Sequence, residues 1–143
     1  MLQRILFVCT KNAVRSPMAE ALAERMRVQA GLDSLRFASA GIDPSDVDGF
    51  TISVMAEIGC DLLRHESQDL SDIEAGQFDV LIALSAYAGE VARARFAPLG
   101  KPIEMWPVAE PRLVEENYDQ QLAAYREVRE AISVKLRQRF ALS

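Results

Sequence analysis

A chain of 143 residues, half of them hydrophobic, is long enough to bury a core without disulfide staples, and the expectation is one domain spanning 1–143. Its net charge of -5 excludes the broad basic face that nucleic acid or anionic lipid would require, so any anion must be caught by local geometry. No apolar stretch approaches the roughly 18 residues of a membrane span, and two cysteines with one histidine are too few for a structural zinc site. A reduced compartment, the cytoplasm, suits a lone working thiol.

In chain order, RILFVC (4–9) is a short continuous apolar run of the kind that forms a strand buried on both faces. A helix follows over about 17–30, with Met18, Leu22 and Met26 as its stripe and Ala19 and Ala23 beside them. Ser16 is expected as its N-cap, Pro17 as its first residue and Gly31 as its stop. LRFASAG (35–41) reads as a weaker strand ending on a glycine turn, and a helix at about 50–58 is ended by Gly59. FDVLIAL (78–84) is a second buried strand, 86–96 a helix, and PIEMW (102–106) a less buried fourth strand. The last helix, 118–140, carries Leu122, Tyr125, Val128, Ile132 and Leu136 on one face.

Regular alternation of strand and helix predicts an α/β three-layer sandwich, a parallel sheet of about four strands with helices on both faces. Ligands of such sheets bind beyond the carboxyl ends of the strands, at loops that feed helix N-termini. Cys9 to Ser16 is such a loop. The backbone N–H groups of Thr10, Lys11, Asn12, Ala13 and Val14, curled around one point and followed by a helix start with Arg15 and Ser16, make a cradle for a tetrahedral oxyanion. Arg15 adds a planar grip on two oxygens. Cys9, on the floor of the same cradle, is the expected nucleophile, with the Ser16 hydroxyl directed at its sulfur.

VCTKNAVRSPMAEAL resembles the Cys-x5-Arg-Ser signature of the low-molecular-weight protein tyrosine phosphatases and of the thioredoxin-type arsenate reductases that share their fold. The likeness extends through Asn12, Pro17 to Glu20 and SAG (39–41), and MWPVAEP (105–111) and AAYREVREAI (123–132) resemble later segments of the arsenate reductases. It implies attack by Cys9 on phosphorus, oxyanion binding by Arg15 and the loop amides, protonation of the leaving oxygen by an acid, and hydrolysis of a phosphocysteine. It implies no metal and no organic cofactor.

Several positions depart from that pattern. Where the phosphatases have Asp-Pro, this chain has Glu110-Pro111, so Glu110 is the expected general acid, with Asp43, Asp46 and Asp48 as reserves. Lys11 replaces a glycine usual in the loop, Ala13 a larger apolar residue, and Val14 a second cysteine. DPSDVDGF lacks the family's aromatic wall, for which Phe50, Tyr87 and Trp106 are substitutes. Cys60, after Gly59, is read as a structural thiol, and Ser85 and Ala92 stand where thioredoxin-dependent reductases carry further cysteines.

The sequence therefore points first to a cysteine-dependent phosphomonoesterase acting on phosphotyrosine protein or another aryl phosphate. The alternative is an arsenate reductase completed by an external low-molecular-weight thiol. A third reading, from another class, is an oxyanion-binding module that kept the cradle and lost its acid. The loop serves all three, and the oligomeric state is not legible in the sequence.

Overall fold

The computed structural model describes residues 2–114 and 117–140. Its main elements are β1 (Gln3–Cys9), α1 (Arg15–Ala30), β2 (Leu35–Gly41), α2 (Gly49–Ala56), β3 (Val80–Ala83), α3 (Ala86–Phe96), β4 (Ile103–Met105) and α4 (Tyr118–Phe140). Among the described residues the strands form one parallel sheet in the order β2-β1-β3-β4. The expected α/β architecture, strand number and helix positions are thus observed, with strand and helix ends shifted by one or two residues.

Period-two alternation along β1 divides the core. Ile5, Phe7 and Cys9 face one layer with Met18, Leu22, Ile132 and Leu136 of α1 and α4. Leu6 and Val8 face the other, with Ala88, Ala92 and Phe96 of α3. Each fully buried Ile, Leu or Phe side chain contributes roughly 1.5–3 kcal/mol through removal from water. The chain passes from β1 to β2 on one side of the central strand and then crosses from β2 past β1 to β3 on the other, so the carboxyl end of β1 is the switch point of the sheet. Cys9, paired in register with Gly41, is the last residue of β1.

The start of α1 corrects the expectation for Ser16 and Pro17. Arg15 is the first helical residue, Val14 occupies the cap position with φ -129° and ψ -72°, and no side chain caps the end. Ser16 lies inside the first turn because its hydroxyl is held by the Cys9 sulfur and the Asn12 amide rather than by the helix. Pro17 is tolerated there since first-turn N–H groups have no intrahelical acceptor. At the other end Gly31 adopts φ +68° and closes the helix, with bonds back to Val28 and Arg27.

α2 is tied to α4 by Arg129, whose Nη1 donates to the Val54 carbonyl at 2.6 Å and to Glu57 at 2.9 Å. Arg126 adds a bond to Glu57 at 2.6 Å. Hydrogen bonding from Arg126 foremost, and from Arg129, holds the Glu57 carboxyl down at about 2.

Candidate active site

The loop after β1 is curled by an outer strap. Ile42 N–H donates to the Cys9 carbonyl (3.2 Å), Asp43 to Thr10 (2.8 Å), Ser45 to Lys11 (2.9 Å) and Asp48 to Ala13 (3.1 Å). The Ser67 hydroxyl donates to the Asn12 carbonyl at 2.9 Å. All five carbonyls from Cys9 to Ala13 are therefore engaged by flanking segments. In a planar trans peptide the next residue's N–H points opposite to the carbonyl, so the N–H groups of Thr10 to Val14 are turned away from the strap. One of them, Asn12 N–H, donates to Cys9 Sγ at 3.3 Å. The first-turn amides of α1 lie at the same focus, with the positive end of the helix dipole.

Asn12 is the pivot of the curl. It has φ +52° and is the one described non-glycine residue with positive φ, a conformation asparagine adopts more readily than most. Lys11, exposed at the mouth, does not use a glycine conformation. The fully buried Asn12 side chain donates through Nδ2 to Ser16 Oγ (2.7 Å) and Ser39 Oγ (3.0 Å). Its Oδ1 accepts from Gln68 N–H (3.0 Å) and lies 3.4 Å from His65 Nε2. Ser39 donates onward to Glu20 at 2.8 Å, and His65 Nδ1 lies 3.9 Å from the same carboxylate. Burial raises the Glu20 carboxyl, opposed by the Ser39 hydrogen bond and the charge of His65. Gly41 is required by close approach: a Cβ there would stand 2.7 Å from the Asn12 nitrogen.

At the focus, Cys9 is 2% exposed and its sulfur lies 2.9 Å from Ser16 Oγ. Ser16 Oγ and Asn12 N–H thus converge on the Cys9 sulfur. Thr10 Oγ1 lies 3.2 Å from Ser85 Oγ, which also caps α3 by accepting from Ala88 N–H. Arg15 runs beside the loop, donating through Nη1 to the Val108 carbonyl (3.0 Å) and through Nη2 to Glu110 Oε1 (3.1 Å).

Cys9, Arg15 and the 10–16 loop are thus brought together, and Glu110 reaches them through Arg15, its side chain 70% exposed. Of the reserve carboxylates, Asp43 and Asp46 are exposed on the strap, while Asp48 caps α2 by accepting from Phe50 and Thr51 N–H. Trp106 is buried against Phe7, and Tyr87 is exposed on α3. Phe50 joins a ring cluster outside the one around Trp106, with centroids 5.5 Å from Tyr118 and 5.2 Å from Tyr125. Burial pushes the Tyr125 hydroxyl up, reinforced by its hydrogen bond to Asp48 and the charge of Glu110. Sequence reasoning missed His65, Ser67 and Gln68 as supports and reached Ser39 only as part of SAG (39–41); for the others the lone histidine was the available signal. Cys60 is a buried free thiol.

The family model for low molecular weight phosphotyrosine protein phosphatase matches residues 4–141. The chain belongs to that family. Among relatives, an arsenate reductase of Halalkalibacterium halodurans is 28% identical over 133 residues, covering 93% of this chain and 91% of that protein. A probable low molecular weight protein-tyrosine-phosphatase, EpsP, of Ralstonia nicotianae is 30% identical, covering 92% and 90%. A glutaredoxin arsenate reductase of Synechocystis is 31% identical, but the match spans only 60% of its length. A solved low molecular weight phosphatase of T. tengcongensis superposes with a TM-score of 0.81 at 22% identity, covering 97% of this chain and 98% of that one. An arsenate reductase in a phosphate-binding state does so at 0.77 and 25%, covering 98% of each chain. The family is one of enzymes, and the relatives of this chain include both phosphatases and arsenate reductases.

Proposed function

We propose that the protein is a cysteine-dependent phosphomonoesterase that forms a phosphocysteine on Cys9, with phosphotyrosine protein or another aryl phosphate as substrate. The observation that carries this reading is the loop itself: five carbonyls held outward by the flanking segments, and a thiol that accepts from Asn12 N–H and lies 2.9 Å from Ser16 Oγ. An electrophilic phosphorus above Cys9 has its equatorial oxygens on those N–H groups and on Arg15.

In the first step the Cys9 thiolate forms the S–P bond as the bond from phosphorus to the aryl oxygen breaks, and protonated Glu110 gives its proton to that oxygen. In the second, the Glu110 carboxylate takes a proton from water as the water oxygen attacks phosphorus, and Cys9 leaves as thiolate with release of phosphate. A phosphate oxygen taking the place of Glu110 on Arg15 Nη2 frees that carboxyl from the present ion pair for this work, while Nη1 stays on the Val108 carbonyl. Phe50 with Tyr118 and Tyr125 offers a ring surface near Asp48, which supports an aromatic leaving group. The lone working thiol is best suited to the cytoplasm, and one domain suffices for the chemistry.

A second reading is favoured by the nearly full-length likeness to an arsenate reductase: Cys9 forms an S–As bond to arsenate with loss of water, an external thiol attacks the Cys9 sulfur to form a mixed disulfide as the S–As electron pair leaves with arsenic as arsenite, and a second external thiol returns Cys9 to the thiol. Ser85 and Ala92 supply no internal thiols for that release. Turnover of p-nitrophenyl phosphate, measured beside arsenate reduction with low-molecular-weight thiols, separates the two. Phosphatase turnover well above arsenate reduction is expected, and the reverse overturns the first reading.

A further inference from the structure

A cleft of about 840 Å³ runs along one face of α1, between that helix, Phe37 of β2 and the 60–65 segment after α2. Its size is that of a small-molecule site, for which roughly 300–1,000 Å³ is usual. Ala21, Val28, Phe37 and Leu62 give it an apolar wall. Arg25 and Arg64 are exposed at its edge, and neither is ion-paired to a described carboxylate. Of the other charged groups on the lining, Glu24 is already taken by Arg27, and Asp61, exposed, accepts from Leu63 N–H at 2.9 Å.

The inner wall is polar and partly buried. The His65 side chain is 8% exposed and Glu20 29%, and these are the groups that reach Asn12 and Ser39 at the back of the oxyanion loop. An apolar slot with two guanidinium groups that no described carboxylate pairs selects a flat hydrophobic body that carries one planar anion. A free inorganic ion would leave the wall of Phe37 and Leu62 without a partner, and an uncharged ring would leave the arginines without one.

We propose that this cleft binds a small aromatic carboxylate, its ring against Phe37 and Leu62 and its carboxylate on Arg25 and Arg64. None of these residues belongs to the loop that holds Cys9, so the proposal stands or falls independently of phosphoryl transfer. The occupant abuts the Glu20–His65 pair, and through it the support of Asn12.

The cleft contains its own reporter, because Cys60 lines it and Cys9 is the chain's other cysteine. In the full-length Cys9→Ser protein, alkylation of Cys60 by neutral iodoacetamide is followed by mass spectrometry with 2-naphthoate as the probe. Saturating 2-naphthoate is expected to slow alkylation about fivefold or more, and phosphate at a concentration that fills the cradle leaves this protection in place. In the Arg25→Ala/Arg64→Ala background the half-protecting concentration rises by about tenfold or more, as it does when 2-naphthol replaces 2-naphthoate. Circular dichroism checks that these surface variants are folded. An unprotected Cys60 overturns the proposal. So does protection abolished by phosphate, which places the probe in the cradle, or protection equally strong with 2-naphthol or without the arginines, which is apolar adhesion alone.

Discussion

Arg15 Nη2 donates to Glu110 Oε1 at 3.1 Å, joining the first turn of α1 to the segment after β4 across 95 positions of sequence. The guanidinium is buried and the carboxylate 70% exposed, so one partner is fixed by the fold while the other is free to exchange toward a substrate. Because Arg15 Nη1 is held by the Val108 carbonyl at 3.0 Å, the 108–110 segment is anchored on the arginine even when Glu110 leaves.

That arrangement makes Glu110 testable as the acid. Glu110→Gln should barely affect p-nitrophenyl phosphate, whose phenolate departs without a proton, and should slow phenyl or tyrosyl phosphate by roughly 10²-fold. Equal rates for both substrates in wild type and variant would move the acid elsewhere, with Asp48 disfavoured because its carboxylate caps α2.

Substitution at the focus separates binding from chemistry. Cys9→Ser should abolish turnover yet still bind vanadate or phosphate, since the five amides remain in place. Arg15→Lys should lose about 10²-fold or more in kcat/KM, because a point charge replaces a two-oxygen fork and the bond to Val108 is lost with it. Near-normal turnover in either variant would remove the loop from the mechanism.

Gly41 tests the curl from behind. Gly41→Ala places a Cβ 2.7 Å from the Asn12 nitrogen and from the Lys11 carbonyl carbon, both backbone atoms that cannot swing aside. The loop must shift, so phosphate inhibition is expected to weaken and kcat to fall by about tenfold or more, with circular dichroism near normal. An unchanged inhibition constant would show that the cradle tolerates the displacement.

The tie between α2 and α4 carries a pH signature. The Glu57 carboxyl is held at about 2 in the folded chain, below its ordinary value of 4.5. Its contribution to stability is therefore present above the unfolded value and is lost as pH falls through about 2. Glu57→Gln should lower Tm by a few degrees at pH 7, a modest loss because Glu57 faces solvent, and the difference from wild type should shrink steadily below pH 4. A constant difference across that range would mean the effect is packing, not charge.

By itself the sequence determined the alternation of strand and helix and the identity of the loop from Cys9 to Ser16. Both are short-range matters: apolar runs and helical stripes specify elements within a few residues, and a curl of consecutive amides is made by consecutive residues. Its one local error at the loop was Ser16, where the capping preference lost to the sulfur and the Asn12 amide, groups that meet the hydroxyl only once β1 and α1 are folded against each other.

Tertiary structure decided the partners. The contact of Glu110 with Arg15, the seating of Asn12 on His65 and Gln68, and the packing of Phe50 against Tyr118 and Tyr125 all join residues far apart in the chain. Tyr125 shows why these were not legible. A helical stripe reports which side chains leave the water-facing side, but a residue buried in the core and one buried at the rim of a site give the same period. Sheet order and helix packing place Tyr125 beside Asp48 and within the field of Glu110, and no spacing within α4 encodes those neighbours.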